Sequence, residues 1–326
     1  MAIVYTDDPK NIDFNKVTDF INSSATGKNA EFNKVIKAFL NSTYSVYALD
    51  GEEIVGVGRA LSDDIEWTLI TGLTVSEERR DEITGNILGK FLERFKGHEI
   101  FAYTDSSYYK YFEDSGFFRS KNSFTFSGYE EGEDLTGLDE SSFLPLGFKF
   151  ENEYGKVPEG FPVHEKSNIN EASVNISYSS SFEGIDINDV NELLSNAFGG
   201  KKRDVNITKK AFEGSRYVQF ATDSGKLIGC ARAESDGVSQ GFILNVAVDP
   251  SYQGHHLGRE VVSRLSAQME GENIFLNTHP GSVGFYNRKG FRRNKSAFLY
   301  PAHPDMPPEV KRGFFLPKGY RFEDEY

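Results

Sequence analysis

The sequence lacks several features that mark particular classes of protein. Its single cysteine, Cys230, cannot form an internal disulfide, which agrees with a reducing compartment. Basic residues are outnumbered, with 36 Lys and Arg against 49 Asp and Glu, and the formal net charge is -13. Because nucleic acids and anionic membranes bind clustered positive charge, this balance argues against either as a partner.

Long apolar runs are also missing, and none approaches the roughly 20 residues that a membrane-spanning helix needs. The N-terminal residues lack the basic region and apolar stretch of a secretory signal. We therefore expect a cytoplasmic protein that does not insert into a membrane. The six histidines are scattered, and the adjacent pair His255-His256 lacks the spacing of a helical zinc site, so we expect no metal.

The sequence does contain an internal repeat. Residues 37–85 align without gaps with residues 210–258, at a constant offset of 173. The two segments share 15 identities in 49 positions, whereas unrelated sequences of this composition would share roughly three. The repeat continues into two tails, since residues 143–154 and 315–326 match at eight of twelve positions.

This repeat predicts two complete domains, each with its own tail. We place the first domain in residues 1–154, a polar linker that contains Pro and Gly in residues 155–175, and the second domain in residues 176–326. The acidic end of the second tail is expected to cover a sheet edge or a domain seam, with the rim of a cationic acceptor site as the alternative. Arg59 and Arg232, which repeat, are expected to make the same structural contact in each half.

Within each half the pattern predicts a mixed sheet. In the second half, SRYVQFAT and KLIGCARA predict two strands joined by a tight turn at residues 223–225. The nearly continuous apolar run GFILNVAV predicts a central strand that is buried on both faces. Leu257, Val261 and Leu265 then recur at the spacing of a helix. We therefore predict an α/β (α+β) fold of two tandem units, each a mixed, mostly antiparallel twisted sheet flanked by helices.

The segment VAVDPSYQGHHLGREVV joins that central strand to the helix. The first backbone N–H groups of a helix have no partner within it, and together with the helix dipole they form an anion site suited to a pyrophosphate. Gly254 and Gly258 allow the backbone to approach a ligand closely. The side chains of His255 and His256 could help to hold a phosphate or could simply face solvent.

This segment resembles the acetyl-CoA signature of the GCN5-related N-acetyltransferase superfamily, in which Gln or Arg-x-x-Gly-x-Gly or Ala opens a helix after a strand. Gln253 and Gly258 match the signature, whereas His256 replaces the middle glycine. The resemblance implies acetyl-CoA as the acyl donor. It also implies contacts to the donor from the strand end, the helix start and one aromatic residue: Val246, Ala247, Val248, Gln253, Gly254, His255, His256, Leu257, Gly258, Arg259 and Phe285.

A second element of that family, aromatic-Tyr-x-x-x-Gly-Phe, corresponds here to FYNRKGF at residues 285–291. By this resemblance Tyr286 protonates the departing thiolate, a task that suits a phenol with a pKa of about 10. Tyr286 could instead be an aromatic residue packed on the sheet. The resemblance further implies direct attack of an amine on the thioester, with a backbone N–H near Val248 polarising the carbonyl.

The group that removes the proton from the amine is left open among Glu234, Asp236, Asn245 acting through water, and His279. We assign Asn245 and Asp236 as candidate catalytic residues beside Tyr286. Asp63 repeats Asp236, however, so a structural role in a turn is the alternative for that aspartate.

The first half departs from the signature at the place where the donor would bind. Asp81 and Ile83 stand at the positions of the family glycines. The carboxylates of Asp81 and Glu82 would face a pyrophosphate, which is an unfavourable contact between like charges. Phe112 also replaces the tyrosine. We predict that the first half retains the fold and has lost acetyl-CoA binding.

These patterns and resemblances together predict an N-acetyltransferase that transfers acetyl from acetyl-CoA to the primary amine of a small molecule, at the C-terminal half. A noncatalytic acyl-CoA-binding regulator and an interaction module are the alternatives. The charge of the acceptor stays open: the basic loop at residues 199–203 suits an acidic acceptor, whereas the negative net charge suits a cationic one.

Overall fold

The architecture is that of a computed structural model, which describes residues 2–24, 30–127, 140–145, 147–150, 174–200, 202–302 and 305–325. The strands in this part of the chain are, in order, β1 (Val4–Thr6), β2 (Tyr44–Asp50), β3 (Glu53–Ser62), β4 (Trp67–Val75), β5 (Glu99–Tyr103), β6 (Phe118–Arg119), β7 (Ser123–Phe126), β8 (Ile176–Ser179), β9 (Tyr217–Asp223), β10 (Lys226–Ser235), β11 (Gln240–Val248), β12 (Asn273–Asn277), β13 (Arg292–Arg293) and β14 (Ala297–Tyr300). The α-helices are α1 (Phe14–Ser23), α2 (Phe32–Leu40), α3 (Arg80–Arg94), α4 (Tyr109–Asp114), α5 (Ile187–Ala197), α6 (Val205–Gly214), α7 (Leu257–Ala267), α8 (Val283–Asn287) and α9 (Pro308–Phe314).

The strands form two seven-stranded sheets. The first sheet has the order β1-β2-β3-β4-β5-β14-β6, and the second has the order β13-β7-β12-β11-β10-β9-β8. In each sheet one pair is parallel, β4 with β5 and β11 with β12, and the other neighbours are antiparallel. The predicted fold class, two mixed and mostly antiparallel sheets flanked by helices, is confirmed.

The two sheets exchange one strand each. β7, from the first half of the chain, lies between β12 and β13, while β14, from the second half, lies between β5 and β6. Phe124 of β7 and Phe298 of β14 are each fully buried in the core of the sheet that they join. The prediction of two self-contained halves is therefore wrong for these strands, because the pattern of a four-residue strand does not specify which sheet it enters. The predicted linker lies outside the described residues, apart from residues 174 and 175, and so does the predicted boundary at Tyr154.

The centre of the second sheet is buried by α7 on β9, β10 and β11. Val261, Val262 and Leu265 of α7 are at most 1% exposed, and full burial of one such side chain stabilises the fold by about 1.5–3 kcal/mol. A separate cluster joins α5 to Cys230 on β10, where burial raises the pKa of the thiol to about 12. Cys230 is thus an unreactive core residue. Within the described ranges, no helix is long and apolar enough to cross a membrane.

A reciprocal set of buried ion pairs joins the two sheets. Nη1 of Arg59 lies 2.7 Å from Oδ2 of Asp236, and Nη2 of Arg232 lies 2.7 Å from Oδ2 of Asp63. All four side chains are at most 3% exposed. The prediction that the repeated arginines make a repeated structural contact is confirmed, and the contact crosses between the halves.

Asp236 is fully engaged at this interface. Besides Arg59, its carboxylate accepts hydrogen bonds from the backbone N–H groups of Val238, Ser239 and Gln240 at 2.7–3.0 Å, which fixes the turn between β10 and β11. A carboxylate held in this way has no access to a substrate. The assignment of Asp236 as a candidate catalytic residue is therefore corrected to a structural one.

The acidic tail also lies at the seam between the halves. Glu325 forms an ion pair with Arg119 of the first half and accepts a hydrogen bond from the hydroxyl of Tyr109 at 3.1 Å. Its side chain is buried. The expectation that this tail covers a domain seam is confirmed for the described residues, which exclude Tyr326.

Candidate active site

The site begins where the two parallel strands of the second sheet part. β11 and β12 pair only as far as Ile243 and Leu276, although β11 continues to Val248. Between these points Asn245 adopts a left-handed backbone with φ of 50°, and the register with β10 shifts. Such a bulge bends a strand, and asparagine tolerates the left-handed conformation better than most residues. The result is an opening beside the last residues of β11.

A backbone donor points into this opening. Asp249 donates its N–H to the carbonyl of Ile228, on the β10 side, at 2.8 Å. Successive N–H groups of a strand point to opposite sides. The N–H of Val248, and by the same alternation that of Val246, therefore faces the side where β12 has ended. Both groups are placed to donate to a carbonyl of a bound ligand.

The segment after β11 places the start of α7 at the same opening. It forms a 3₁₀ turn at Pro250–Tyr252 and then passes through Gly254 (φ 83°) and His256 (φ 63°), both with left-handed backbones. His256 is the N-cap of α7, and its side chain makes no capping hydrogen bond. The N–H groups of the first helical turn are thus left for an anionic ligand. His256 replaces a glycine where a left-handed backbone is needed, at a cost of roughly 1–2 kcal/mol.

Gly258, in the first turn of α7, keeps this surface open. A Cβ atom added here would lie 3.3 Å from Cγ2 of Val248 and 3.7 Å from the ring of Phe285. A larger side chain would therefore project between the end of β11 and α8. The lack of a side chain at Gly258 leaves a backbone cradle of the kind that a pyrophosphate requires.

Tyr286 lies on α8, across the opening from β11. The residue is 6% exposed, and its ring packs edge-on against Phe285 and Phe291 at centroid distances of 4.9 and 5.7 Å. Its hydroxyl has no hydrogen-bond partner among the described residues. Burial raises the pKa of Tyr286 well above its ordinary value, so the phenol remains protonated at neutral pH and can donate its proton.

These elements surround a cavity of about 920 Å³, near the upper end of the range of about 300–1,000 Å³ for small-molecule sites. Asn245 and Tyr286 line it. The predicted donor-binding residues that also line it are Val246, Ala247, Val248, Gln253, Gly254, His256, Leu257, Gly258, Arg259 and Phe285. His255 and Asp236 do not belong to this lining, so the structure brings together all the predicted site residues except these two.

Several lining residues were missed by sequence reasoning. Trp67 and Phe101 come from the first half of the chain, while Phe198 and Phe314 come from the second half. Arg203 also lines the cavity, but it belongs to the basic loop at residues 199–203, which was already a candidate for contact with the acceptor from the sequence. Trp67 is the single tryptophan of the chain, but no motif surrounds it. Only the packing of the first sheet against β11 reveals its position.

The cavity is positively charged in a protein that is negatively charged overall. Arg203, Arg259, Arg288 and Lys289 line it, and no Asp or Glu of the described residues does. Charges of one sign in a cleft of low dielectric attract the opposite sign, which suits a donor that carries phosphates. The negative net charge of the chain therefore does not describe its site. No group of three or more His, Cys, Asp or Glu within the described ranges could hold a metal ion.

Comparison with known proteins shows to which family the chain belongs. A model described as "Acetyltransferase (GNAT) family" matches residues 187–291. A protein named "Uncharacterized N-acetyltransferase ycf52" from Pyropia yezoensis is 33% identical over 135 residues, which cover 38% of this chain and 77% of that protein. The chain belongs to the GNAT acetyltransferase family. It is accordingly an acyltransferase, and acetyl-CoA is the acyl donor of this family.

Two further relatives extend the comparison. "Serotonin N-acetyltransferase 2, chloroplastic" from Oryza sativa subsp. japonica is 35% identical over 121 residues, 35% of this chain, and this chain spans 60% of that relative. The crystal structure of a GCN5-related N-acetyltransferase from Sphaerobacter thermophilus superposes with a TM-score of 0.51 at 14% identity, over 93% of this chain and 97% of that one. The GNAT fold thus extends over both halves.

Few of the side chains that line the cavity could act as a base. Oδ1 of Asn245 accepts a hydrogen bond from Nε of Arg232 at 2.6 Å, so its amide presents the Nδ2 donors to the cavity. Nδ1 of His279 accepts from the N–H of Gly281 at 3.0 Å, which places the proton of a neutral imidazole on Nε2. Neither side chain offers a basic lone pair in this arrangement.

Glu234, the remaining candidate base, does not line the cavity. Its carboxylate accepts from Oγ of Ser215 at 2.8 Å and from Nη1 of Arg232 at 3.2 Å. Burial raises the pKa of Glu234 to about 7. Glu234 therefore belongs to the buried network around Arg232, and no carboxylate of the described residues lines the cavity.

The corresponding place in the first half is filled by the chain itself. Val75, which repeats Val248, donates its N–H to the hydroxyl of Tyr108 at 2.9 Å. Tyr108 is 4% exposed, and the residue in its place in the second half is Ser282, which lines the cavity. Asp81, at the start of α3, accepts a hydrogen bond from the hydroxyl of Tyr111. In the first half the N–H of Val75 is therefore taken by the chain itself, and the start of α3 carries the carboxylate of Asp81.

Proposed function

We propose that the cavity at the end of β11 binds acetyl-CoA, and that the chain transfers the acetyl group to the primary amine of a small molecule. One observation carries this proposal. The outward N–H of Val248, the uncapped start of α7 and the hydroxyl of Tyr286 meet at one cavity. These are the donors that a diphosphate, a thioester carbonyl and a departing thiolate would need.

The α7 end of the cavity holds the phosphates of the donor. The backbone N–H groups after His256 bind the pyrophosphate, and Gly258 allows it to lie against the helix. Arg259 and Lys289, which line this end, add charge-assisted hydrogen bonds. Because the cations converge there and the rest of the protein is acidic, the donor binds in one orientation.

The end of β11 carries the chemistry. Bound acetyl-CoA supplies a thioester carbonyl that the amine attacks. The backbone N–H groups of Val246 and Val248 stabilise the negative charge that develops on the oxygen. Tyr286 donates its hydroxyl proton to the sulfur as the carbon–sulfur bond breaks. Its raised pKa keeps that proton in place at neutral pH.

The amine loses its proton to solvent rather than to a carboxylate. No described Asp or Glu lines the cavity, and Asn245 and His279 present donors to it. The acceptor therefore reacts in its neutral form, and the cations that line the cavity disfavour a polycation. This reasoning, together with the aromatic side chains from both halves that enclose the acceptor end, favours a small molecule over a protein.

The names of the relatives leave the acceptor and the location to experiment. One relative is named a serotonin N-acetyltransferase, and another, from Glycine max, is named "Histone acetyltransferase TAP1". For this chain we propose a small-molecule acceptor and, from its single cysteine, a cytoplasmic location. The word "chloroplastic" in the name of the rice protein makes a plastid the alternative.

The repeat provides a matched pair of variants to test the donor site. Gly258→Glu should abolish acetyl-CoA binding, because its side chain and charge would enter the pyrophosphate cradle. Gly85→Glu, at the equivalent position of the first half, should leave binding unchanged, because nothing lies within 4 Å of a Cβ at Gly85. Calorimetry should find one site per chain in the wild type and in Gly85→Glu, and none in Gly258→Glu.

Other stoichiometries would contradict the proposal in distinct ways. Two sites in the wild type would mean that the first half also binds the donor. Loss of binding in Gly85→Glu alone would place the site in the first half. No binding by the folded wild type would remove the enzymatic proposal for this cavity.

A further inference from the structure

We propose, resting on the function above, that the acceptor end of the cavity selects an elongated aromatic amine with an oxygen acceptor at the end remote from the amine. We further propose that the first half of the chain, although it has lost donor binding, supplies much of this recognition. The inference depends on the aromatic wall, on two buried donors without partners, and on their distance from the thioester.

The wall of the acceptor end is aromatic and comes from both halves. The rings of Trp67 and Phe101 stack with centroids 5.9 Å apart and planes 17° apart. Phe101 in turn meets Phe242 of β11 edge-on at 5.5 Å. Phe198, which is 48% exposed although apolar, and Phe314 complete the lining on this side. Such surfaces bind flat apolar groups through offset stacking and edge contacts.

Two buried hydrogen-bond donors at this wall have no partner. Nε1 of Trp67 and Nε of Arg203 are both shielded from solvent, and neither forms a hydrogen bond with any described residue. Both residues line the cavity. A buried donor without a partner costs about 1–3 kcal/mol, and a ligand oxygen in the cavity would relieve that cost.

An ion pair fixes one of these donors in place. Nη2 of Arg203 lies 2.7 Å from Oε2 of Glu66, the residue that precedes Trp67 on the chain. The pair holds the guanidinium beside the start of β4, with Nε left over. Nε of Arg203 can donate a hydrogen bond to a neutral oxygen, such as that of a hydroxyl, or to an anionic one, such as that of a carboxylate.

The position of the wall along β11 sets the length of the acceptor. Phe242 precedes Val246 by four residues, which is at most roughly 13 Å at the rise of an extended strand. Val246 and Val248 hold the thioester, whereas Phe242 and Phe101 mark the wall. An amine that reaches from the thioester to the wall can therefore span up to this distance, with its aromatic ring at the wall.

Four amines that differ in the aromatic ring and in the remote oxygen test the inference. Phenethylamine has the ring without an oxygen, tyramine adds a remote hydroxyl, 4-(2-aminoethyl)benzoate adds a remote carboxylate, and spermidine is a polycation without a ring. Binding of each to protein saturated with CoA is measured by calorimetry, and acetylation of each is measured separately with acetyl-CoA. We expect tyramine or 4-(2-aminoethyl)benzoate to bind about tenfold more tightly than phenethylamine, and spermidine to bind most weakly.

Two variants connect this preference to the proposed donors. Trp67→Phe keeps an aromatic ring and removes the indole N–H, so it should reduce the preference for the oxygen-bearing amine. Arg203→Lys keeps the charge opposite Glu66 and removes the Nε donor, with the same expected result. Glu66→Gln is the matched control, because it retains an oxygen for Arg203 and both donors, and it should keep the preference.

The two readouts separate this inference from the proposed function. Tight binding of an oxygen-bearing aromatic amine without its acetylation would support the inference and contradict the function. Acetylation of spermidine in preference to the aromatic amines would support transfer to amines and overturn the inference. Equal binding of phenethylamine and both oxygen-bearing amines, with no effect of Trp67→Phe, would also overturn it.

Discussion

Both halves of the molecule build the same opening in a sheet and use it differently. In each half a parallel strand pair parts beside a bulge with a left-handed backbone, at Gly72 in the first half and at Asn245 in the second. In the first half the N–H beyond the bulge, that of Val75, is taken by Tyr108. In the second half the equivalent N–H faces a cavity that Ser282 leaves open.

Under the proposed function, two substitutions account for the loss of donor binding in the first half. Tyr108 in place of Ser282 occupies the backbone donor, and Asp81 in place of Gly254 brings a carboxylate to the helix start. The backbone around both changes is retained. The first sheet also supports the second, through the exchanged strands, the two buried Arg–Asp pairs and the ring contacts of Phe101 with Phe242 and Phe275.

The substitution expected to have the largest effect removes the hydroxyl that we propose as the general acid of the second half. Tyr286→Phe should lower kcat by roughly 10²–10⁴-fold, the usual contribution of a general acid, and should leave the dissociation constant of acetyl-CoA nearly unchanged. Tyr111→Phe, which removes the neighbouring tyrosine of the first half, should leave kcat unchanged. Steady-state kinetics and calorimetry measure both quantities.

The pH dependence of the rate provides a second test of the role of Tyr286. Because burial raises the pKa of Tyr286, ionisation of this phenol should cause no loss of wild-type activity at any pH below about 10. A wild-type rate in Tyr286→Phe, or an alkaline limb near pH 8 that the variant abolishes, would contradict the proposed role of the hydroxyl.

The next effect tests the symmetry of the interface. Arg59→Met and Arg232→Met each leave one aspartate buried without its counter-ion, Asp236 and Asp63 respectively. Each should lower the free energy of unfolding by about 3–5 kcal/mol, measured by urea denaturation. Because the sheets share strands, both variants should shift one common transition.

Activity should then distinguish these two variants. Arg232 also donates to Asn245 at the cavity, whereas Arg59 contacts Asp236 and Ser239, which do not line the cavity. Arg232→Met should therefore raise the KM for acetyl-CoA, and Arg59→Met should not. Two separate unfolding transitions, with only one shifted by each variant, would argue against the interface described above.

The substitution expected to have the smallest effect tests what prevents acetyl-CoA binding in the first half. Tyr108→Ser should free the N–H of Val75 without creating a second acetyl-CoA site, because Asp81 and Glu82 still face the place of the pyrophosphate. Calorimetry should again give one site per chain. Adding Asp81→Gly and Glu82→His, the residues of the second half at these positions, should produce a second, weaker site. A second site in Tyr108→Ser alone would mean that the hydroxyl by itself blocks the first half.

Local pattern was sufficient for much of the fold. The apolar spacing of Leu257, Val261 and Leu265 predicted α7, and the turn before β10 has the positive φ angles of Ser224 and Gly225 that a tight hairpin requires. The exchange of β7 and β14 could not be predicted in this way. Each has four residues, and its host sheet is decided by contacts with strands far away along the chain.

The candidate site likewise has one part that could be predicted from the sequence and one part that could not. The donor end follows from a contiguous segment whose glycines and helix start have direct physical meaning, so nearly all of its predicted residues line the cavity. The acceptor end is assembled from both halves, and Trp67 gives no local sign of its role. The prediction of Asp236 as a catalytic residue was wrong because residue type alone does not distinguish an exposed carboxylate from one that is buried opposite an arginine.

The exchange of strands has a consequence for the order in which the chain can fold on the ribosome. β7 is synthesised some 150 residues before β12, the strand it must pair with. β5 likewise waits for β14, which is complete only at Tyr300. Until then the nascent first half has unpaired strand edges, which are sites of aggregation. The first half therefore cannot complete its fold until the second half has been translated. Neither half made alone should be a stable, soluble domain.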